Sequence, residues 1–257
     1  MLVMDSGLGG IAVVRALRAA QPGLPLHYLA DTAGFPYGMR STADITARAS
    51  ALIAQLAPQL GGGPVVLACN TLSTLCLDQL RGRFPDLTFI GTVPAVKVAA
   101  KQSLSRRFTL LATPNTAQSA YSMELIRLFA DGCVVDSYGA PGLAAMAERL
   151  LLGDAPDTEA LRAELAPAFH DDARGRTDCI VLGCTHYPLI LDALSAVAPW
   201  PVTFIDSSDA IARHALKQPG TPPPHSIAYV TAPADQPRYR ALFAREGFAQ
   251  LDSITVS

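Results

Sequence analysis

The sequence predicts an α/β protein built on mostly parallel sheets with helices on both faces. Strand-like apolar runs alternate with helical patterns, and a βαβα order needs helices to carry the chain back between parallel strands. Runs such as "PVVLA" (64–68) and "CIVLG" (179–183) are apolar throughout, which suits strands covered on both faces. The same grammar occurs twice, the second cycle starting near Thr92, and this predicts a duplicated α/β unit rather than a short-period repeat.

In the first cycle, "LVM" (2–4) is a strand ending in a glycine turn, and "IAVVRALRAA" (11–20) is helical. "LHYLA" (26–30) precedes a loop, and "TADITARASALIAQLAPQL" (42–60) has apolar residues at helical spacing up to the stop "GGG". A strand at 64–68, a helix at 74–84 and the strand "LTFIGTV" (87–93) follow. In the second cycle, "FTLLATPNT" (108–116) is strand then polar turn, 117–130 is helical, and "CVVDSYG" (133–139) is a strand. Helices are expected at 143–153 and 158–171, then the strand of "CIVLGCTHYP" (179–188), then strand, turn and helix over 201–216. "KQPGTPPPHS" (217–226) is a surface connection, and 227–248 reads as one more strand and helix. The expected domains are 1–92 with 206–257, and 93–205.

Half of the 257 residues are hydrophobic, enough for one large domain or two ordinary ones. Twenty basic against 22 acidic residues leave a net charge of −2, whereas a nucleic-acid partner calls for a basic field. No apolar run is long enough to span a bilayer, so no membrane partner is expected. "MLVMDSGLGG" has no positive leader region and reaches Asp5 at once, unlike a secretory signal. Only four residues precede Asp5, which leaves open a start a few residues upstream. Five cysteines without C-x-x-C spacing suit a reducing cytoplasm better than a disulfide framework or a zinc site.

Ligands of open parallel sheets sit beyond the carboxyl ends of the strands. The polar clusters "DSGLGG", "ADTAGFPYG", "ACNT", "ATPNT" and "LGCTHYP" all fall there. In "DSGLGG", Asp5 and Ser6 end a strand, and Gly7, Gly9 and Gly10 open a helix whose N–H groups attract anions. A tight turn would explain the glycines alone, and their spacing is not the dinucleotide pattern. Tyr37 and Gly38, in "PYG", read by themselves as a turn.

Cys69 and Cys184 each stand where a strand yields to a helix, a position that can favour the thiolate. A single such cysteine is usually a small buried hydrophobe, but two in matching contexts, followed by Asn70 and Thr71 or by Thr185, favour chemistry. Cys76, Cys133 and Cys179 lie inside apolar runs and are assigned to the core. His186, two residues after Cys184, can form a Cys–His pair, although a hydrogen-bonded structural histidine fits it as well. Glu148 reads from the sequence as a solvated helix face. The three lysines, Lys97, Lys101 and Lys217, lie outside the polar clusters, so no pyridoxal Schiff base is expected. Two thiols flanking one carbon can take a proton from one face and return another to the opposite face, inverting a stereocentre without a cofactor or metal. Ser6, Asn70, Thr71 and Thr185 are placed to stabilise the charge that develops.

Taken together, "DSGLGG", "DTAGFPYG", "ACNT" and "LGCTHYP" resemble the glutamate racemases of the aspartate/glutamate racemase superfamily, in order over nearly the whole chain. The resemblance implies two pseudo-symmetric α/β domains with the active site in the cleft between them, and no cofactor. It implies Cys69 as the base toward D-glutamate and Cys184 toward L-glutamate, with Asp5 supporting Cys69, and His186 and Glu148 supporting Cys184. Ser6, Tyr37, Gly38, Asn70, Thr71 and Thr185 would bind substrate. D-glutamate supply for peptidoglycan is the implied role, and a homodimer is a candidate assembly. Asn115, where glycine is usual, and Ala140 and Ala145, where Cys and Pro are more common, depart from the family pattern. The alternatives are a Cys–His thiol hydrolase, a decarboxylase of the same superfamily, and a non-catalytic amino-acid-binding protein.

Overall fold

A computed structural model describes residues 1–231 and 236–256. Two compact units divide the chain, Met1–Thr92 with Ser208–Ser257, and Val93–Ser207. The first runs β1 (Leu2–Asp5), α1 (Ile11–Ala20), β2 (His27–Ala30), α2 (Thr42–Leu56), β3 (Val65–Leu67), α3 (Asn70–Arg83) and β4 (Phe89–Gly91). The second holds α4 (Val96–Gln102), β5 (Arg107–Ala112), α5 (Pro114–Ala117), α6 (Ala120–Phe129), β6 (Val134–Gly139), α7 (Leu143–Leu151) and α8 (Thr158–Leu165). It continues with β7 (Asp171–Asp172), β8 (Gly175–Arg176), β9 (Cys179–Gly183), α9 (Leu191–Val197) and β10 (Thr203–Ile205). The chain then returns to the first unit with α10 (Ser208–Ala215), β11 (Ile227–Val230), α11 (Gln236–Arg245) and β12 (Gln250–Ser253). Part of the strand–helix tail expected at 227–248, residues 232–235, lies outside the described residues.

Every pairing in the six-stranded sheet, ordered β12-β11-β2-β1-β3-β4, is parallel. The four-stranded sheet, β10-β9-β5-β6, is parallel too. Counted along the chain, β1 to β4 lie in the order 2-1-3-4. So do β5, β6, β9 and β10 when that sheet is read from β6. The duplicated grammar therefore corresponds to a duplicated topology, and the first and third strands of each set are neighbours. In this order the connections leave the first strand toward opposite sheet edges, which opens a crevice at the carboxyl ends of the first and third strands. Residues 6–10 and Cys69 follow that pair in the first unit, and Thr113 and Cys184 follow it in the second.

Both sheets are anchored by apolar cores. Leu2, Met4, Leu29, Val65 and Leu67 from strands pack with Ile45, Leu52 and Leu72 from helices in the first. Phe108, Leu110 and Val181 pack with Val96, Ala99 and Ala117 in the second. Cys76 and Cys179 are buried as expected, but Cys133 is only half-buried at the edge of its core. It sits just before β6, an edge strand whose residues are half-buried or exposed, so one side lacks covering neighbours.

Two expected helices are shorter than their apolar periodicity. The one expected over 42–60 stops at Leu56 and tightens into a 3₁₀ turn at Ala57–Gln59. Pro58 has no N–H for the helical ladder and disfavours helix at the residue before it. Its start is specified by Ser41, whose hydroxyl accepts from the Asp44 N–H at 3.2 Å. The helix expected over 158–171 ends at Leu165, with Pro167 in the next 3₁₀ turn, and the chain forms the antiparallel hairpin β7–β8 instead. That hairpin is tied down by Arg107, a fully buried side chain that pairs with Asp172 at 2.6 Å and Asp136 at 3.0 Å. Arg107 also donates to the Gly175 carbonyl at 2.9 Å. Helix α4 and strand β12 were not anticipated, being too short for periodicity to single out.

Candidate active site

In the first unit, Asp5 ends β1 and is fully buried. Its Oδ1 accepts the Gly7 N–H at 2.7 Å, folding the glycine turn back over the strand end. The Gly7 carbonyl accepts from the buried Tyr28 hydroxyl at 2.7 Å. A Cβ on Gly10 would lie 2.9 Å from the Tyr28 hydroxyl oxygen and 3.1 Å from Cβ of Ala68, so only glycine lets the turn pack this closely. This turn presents Ser6, whose Oγ is 4.0 Å from Cys69 Sγ.

Cys69 is the N-cap of α3, with extended backbone angles, so its thiol stands where the unbonded N–H groups of that helix begin. Asn70 and Thr71 form the first turn of α3 and are buried beside it. Tyr37 and Gly38 lie in a 3₁₀ turn, Tyr37–Met39. The Tyr37 ring belongs to the same buried cluster as Cys69, and its hydroxyl donates to Asp31 Oδ2 at 2.6 Å. Burial, with the negative Asp31 next to it, pushes the Tyr37 phenol well above its ordinary range. Asp31 is fully buried, which by itself would raise its pKa. Two hydrogen bonds from Arg48 and one each from Tyr37 and Thr231 outweigh that and hold it below the usual carboxylate value.

In the second unit, Cys184 and Thr185 follow β9, and His186 opens the 3₁₀ turn Tyr187–Ile190. All three side chains are buried. Cys184 Sγ lies 3.8 Å from His186 Nδ1, and His186 Nε2 lies 2.7 Å from Glu148 Oε2. With Nε2–H donating to the Glu148 carboxylate, Nδ1 is left facing the thiol. The sequence placed Glu148 on a solvated face, but it is buried, only 7% exposed. It falls one turn after Ala144 on the buried side of α7, and that phase was the signal for its burial. The neighbouring Tyr187 is fully buried and donates to the Ala112 carbonyl at 3.3 Å. Burial, then the adjacent Cys184, raises its phenol well above the ordinary range.

Thr113, at the end of β5, donates from its hydroxyl to the Thr116 hydroxyl at 3.1 Å. Asn115 is half-buried in the short α5, Ala140 is buried and Ala145 is exposed on α7. Residues not singled out in the sequence but prominent around these strand ends are Tyr28, Asp31, Arg48 and Thr231. Asp31 stood in the quoted "ADTAGFPYG", but nothing in the sequence connects it to Arg48 or to Thr231, 200 positions away.

Burial lifts the Cys76 thiol, and burial together with Asp178 pushes the Cys179 thiol up to about 12. Both are poor nucleophiles at neutral pH. Among the described residues no group of three His, Cys, Asp or Glu side chains is arranged to hold a metal ion, and no helix is long and apolar enough to cross a membrane.

The chain is similar to known proteins over most of its length. A glutamate racemase of Agrobacterium fabrum is 44% identical over 84% of this chain and 79% of its own length. One of Brucella canis is 43% identical over 83% of this chain and 77% of its own. The crystal structure of Escherichia coli glutamate racemase, in complex with L-glutamate and the activator UDP-MurNAc-Ala, superimposes with a TM-score of 0.91 at 33% identity. That match covers 100% of this chain and 98% of the other. The family profile described as Asp/Glu/Hydantoin racemase matches residues 11–215, most of the chain, and the protein belongs to that family.

Proposed function

We propose that this protein is a cofactor-independent glutamate racemase that interconverts L- and D-glutamate with two cysteine bases and supplies D-glutamate for peptidoglycan in the cytoplasm. The observation that carries this reading is the equivalent placement of Cys69 and Cys184. Each follows the third strand of a 2-1-3-4 parallel set, beside the end of the first strand. The similarity to glutamate racemases over most of the chain names the substrate.

The proposed cycle moves two protons. With D-glutamate, the Cys69 thiolate takes the Cα proton and the Cys184 thiol delivers its own to the opposite face, giving L-glutamate. The reverse reaction exchanges the roles. The carbanionic intermediate is stabilised as charge spreads onto its carboxylate, toward donors such as the hydroxyls of Ser6, Thr71 and Thr185 and the amide of Asn70. Asp5 serves the Cys69 side by holding the Gly7 turn. His186, oriented by Glu148, serves as the proton partner of Cys184. Tyr37 and Gly38 offer backbone N–H groups to the side-chain carboxylate, since the Tyr37 hydroxyl is committed to Asp31.

Incubation with either enantiomer in heavy water, read by Cα exchange and by circular dichroism, tests the proposal. Solvent deuterium should enter Cα as the optical signal decays to zero, with activity unchanged in chelator. Cys69→Ser and Cys184→Ser should each abolish net racemisation while leaving exchange or elimination from one enantiomer. Near-normal racemisation by Cys69→Ser would rule out the two-base cycle.

A further inference from the structure

The turn bearing Tyr37 and Gly38 is held by a buried charge network. Arg48 binds Asp31 with both arms, Nε to Oδ2 at 2.7 Å and Nη2 to Oδ1 at 2.6 Å. Thr231, just past β11, donates to Asp31 Oδ1 at 2.7 Å and accepts the Ala33 N–H at 2.8 Å. Asp31 therefore takes four side-chain hydrogen bonds, the fourth from the Tyr37 hydroxyl. A Cβ on Gly34 would fall 2.2 Å from Asp31 Oδ2 and 2.6 Å from Arg48 Nε, so the loop backbone lies directly against the pair. On the outer side, Arg40 donates to the Gly34 carbonyl and pairs with Asp44 at 2.7 Å.

Burying a carboxylate is costly unless its charge is paired and its oxygens are hydrogen-bonded. A bare turn would not require such an arrangement. What it achieves is a fixed backbone over residues 31–40, anchored at Asp31, Ala33, Gly34 and Tyr37. We infer that Asp31, clamped by Arg48 and Thr231, is a positioning residue that sets substrate-chain length. By fixing Tyr37 and Gly38 beside Cys69, it fixes how far the N–H donors for the side-chain carboxylate stand from the thiol. This rests on the glutamate racemase reading. It concerns recognition rather than proton transfer, because Asp31 touches neither thiol chemistry nor Cα in the proposed cycle.

The test uses Arg48→Met, Asp31→Asn and Thr231→Val, with Arg48→Lys as the conservative variant, on the full chain. Each is assayed with both glutamate enantiomers and with aspartate, alongside thermal unfolding and Cα exchange in heavy water. Expected is a rise of about tenfold or more in KM for both glutamate enantiomers, with kcat changed by less than about threefold. The ratio of kcat/KM for glutamate over aspartate should fall together with that change. Arg48→Lys, which keeps the charge but loses the two-armed grip, should be intermediate. Variants that lose thermal stability while keeping the wild-type KM and substrate ratio would overturn the inference and leave a purely structural network. If Asp31→Asn fails to fold, Thr231→Val, which removes the hydroxyl's two hydrogen bonds, to Asp31 and from the Ala33 N–H, decides by the same readouts. Failure of the wild-type protein to exchange the Cα proton of glutamate would instead overturn the underlying reading.

Discussion

His186 and Glu148 are joined from Nε2 to Oε2 at 2.7 Å, with both side chains buried. The contact fixes the ring so that its other nitrogen faces Cys184. Replacing Glu148 with Ala removes a charge-assisted hydrogen bond worth about 1.5–3 kcal/mol, roughly ten- to a hundredfold in rate if it acts in the transition state. Glu148→Ala should lower deuterium exchange from L-glutamate by that factor, with a smaller effect on exchange from D-glutamate. Glu148→Gln, which preserves an acceptor, should lose less. Equal losses from both enantiomers in single-turnover exchange would refute this assignment to the Cys184 side.

Substrate choice should favour glutamate over aspartate. Aspartate is shorter by one methylene, so it leaves either the side-chain donors or the Cα anchors unpaired. One unsatisfied buried donor costs about 1–3 kcal/mol. kcat/KM for either glutamate enantiomer should therefore exceed that for aspartate by at least about tenfold. Circular dichroism under one set of conditions measures both, and equal values would contradict the assignment.

Acid should selectively remove the contribution of the Asp31 network. The folded Asp31 has a pKa below its ordinary value of 3.8. Its stabilisation is therefore complete above pH 3.8 and is lost as pH falls through the lower folded value. Arg48→Met should be less stable than wild type at pH 7, and the gap should narrow below pH 3.8. Urea unfolding at a series of pH values checks this, and a gap independent of pH would argue against an ionised Asp31.

Arg107 supports the second unit away from the strand-end thiols. Its fully buried guanidinium holds Asp136 and Asp172, the latter 45% exposed and with its pKa lowered to about 2, first by the Arg174 N–H and then by Arg107. Arg107→Met leaves Asp136 without its arginine and cuts the tie to Asp172, so it should lower the stability of the protein. Denaturant unfolding should show this loss with little change in slope, and a change under about 1 kcal/mol would mean the hairpin is held by other contacts.

By itself the sequence determined the parallel α/β class, the duplication, and the strand-end positions of Asp5, Cys69 and Cys184. These rest on local signals, because apolar runs, helical periodicity and glycine turns act through residues near in the chain. Three features were decided only by tertiary structure. Glu148 looked solvated because an acid on a helix usually is, but the phase of α7 turns it inward to meet His186, 38 positions later. The hairpin at 171–176 replaced an expected helix because Pro167 ends α8 and Arg107, from β5, pairs with Asp172. Asp31 acquired its role from Arg48 on α2 and from Thr231 beyond β11, which a parallel sheet brings to one strand end. The physical reason is common to all three. A buried charge is stable only where partners from distant segments converge on it, and that convergence is a property of the folded topology rather than of any local stretch of chain.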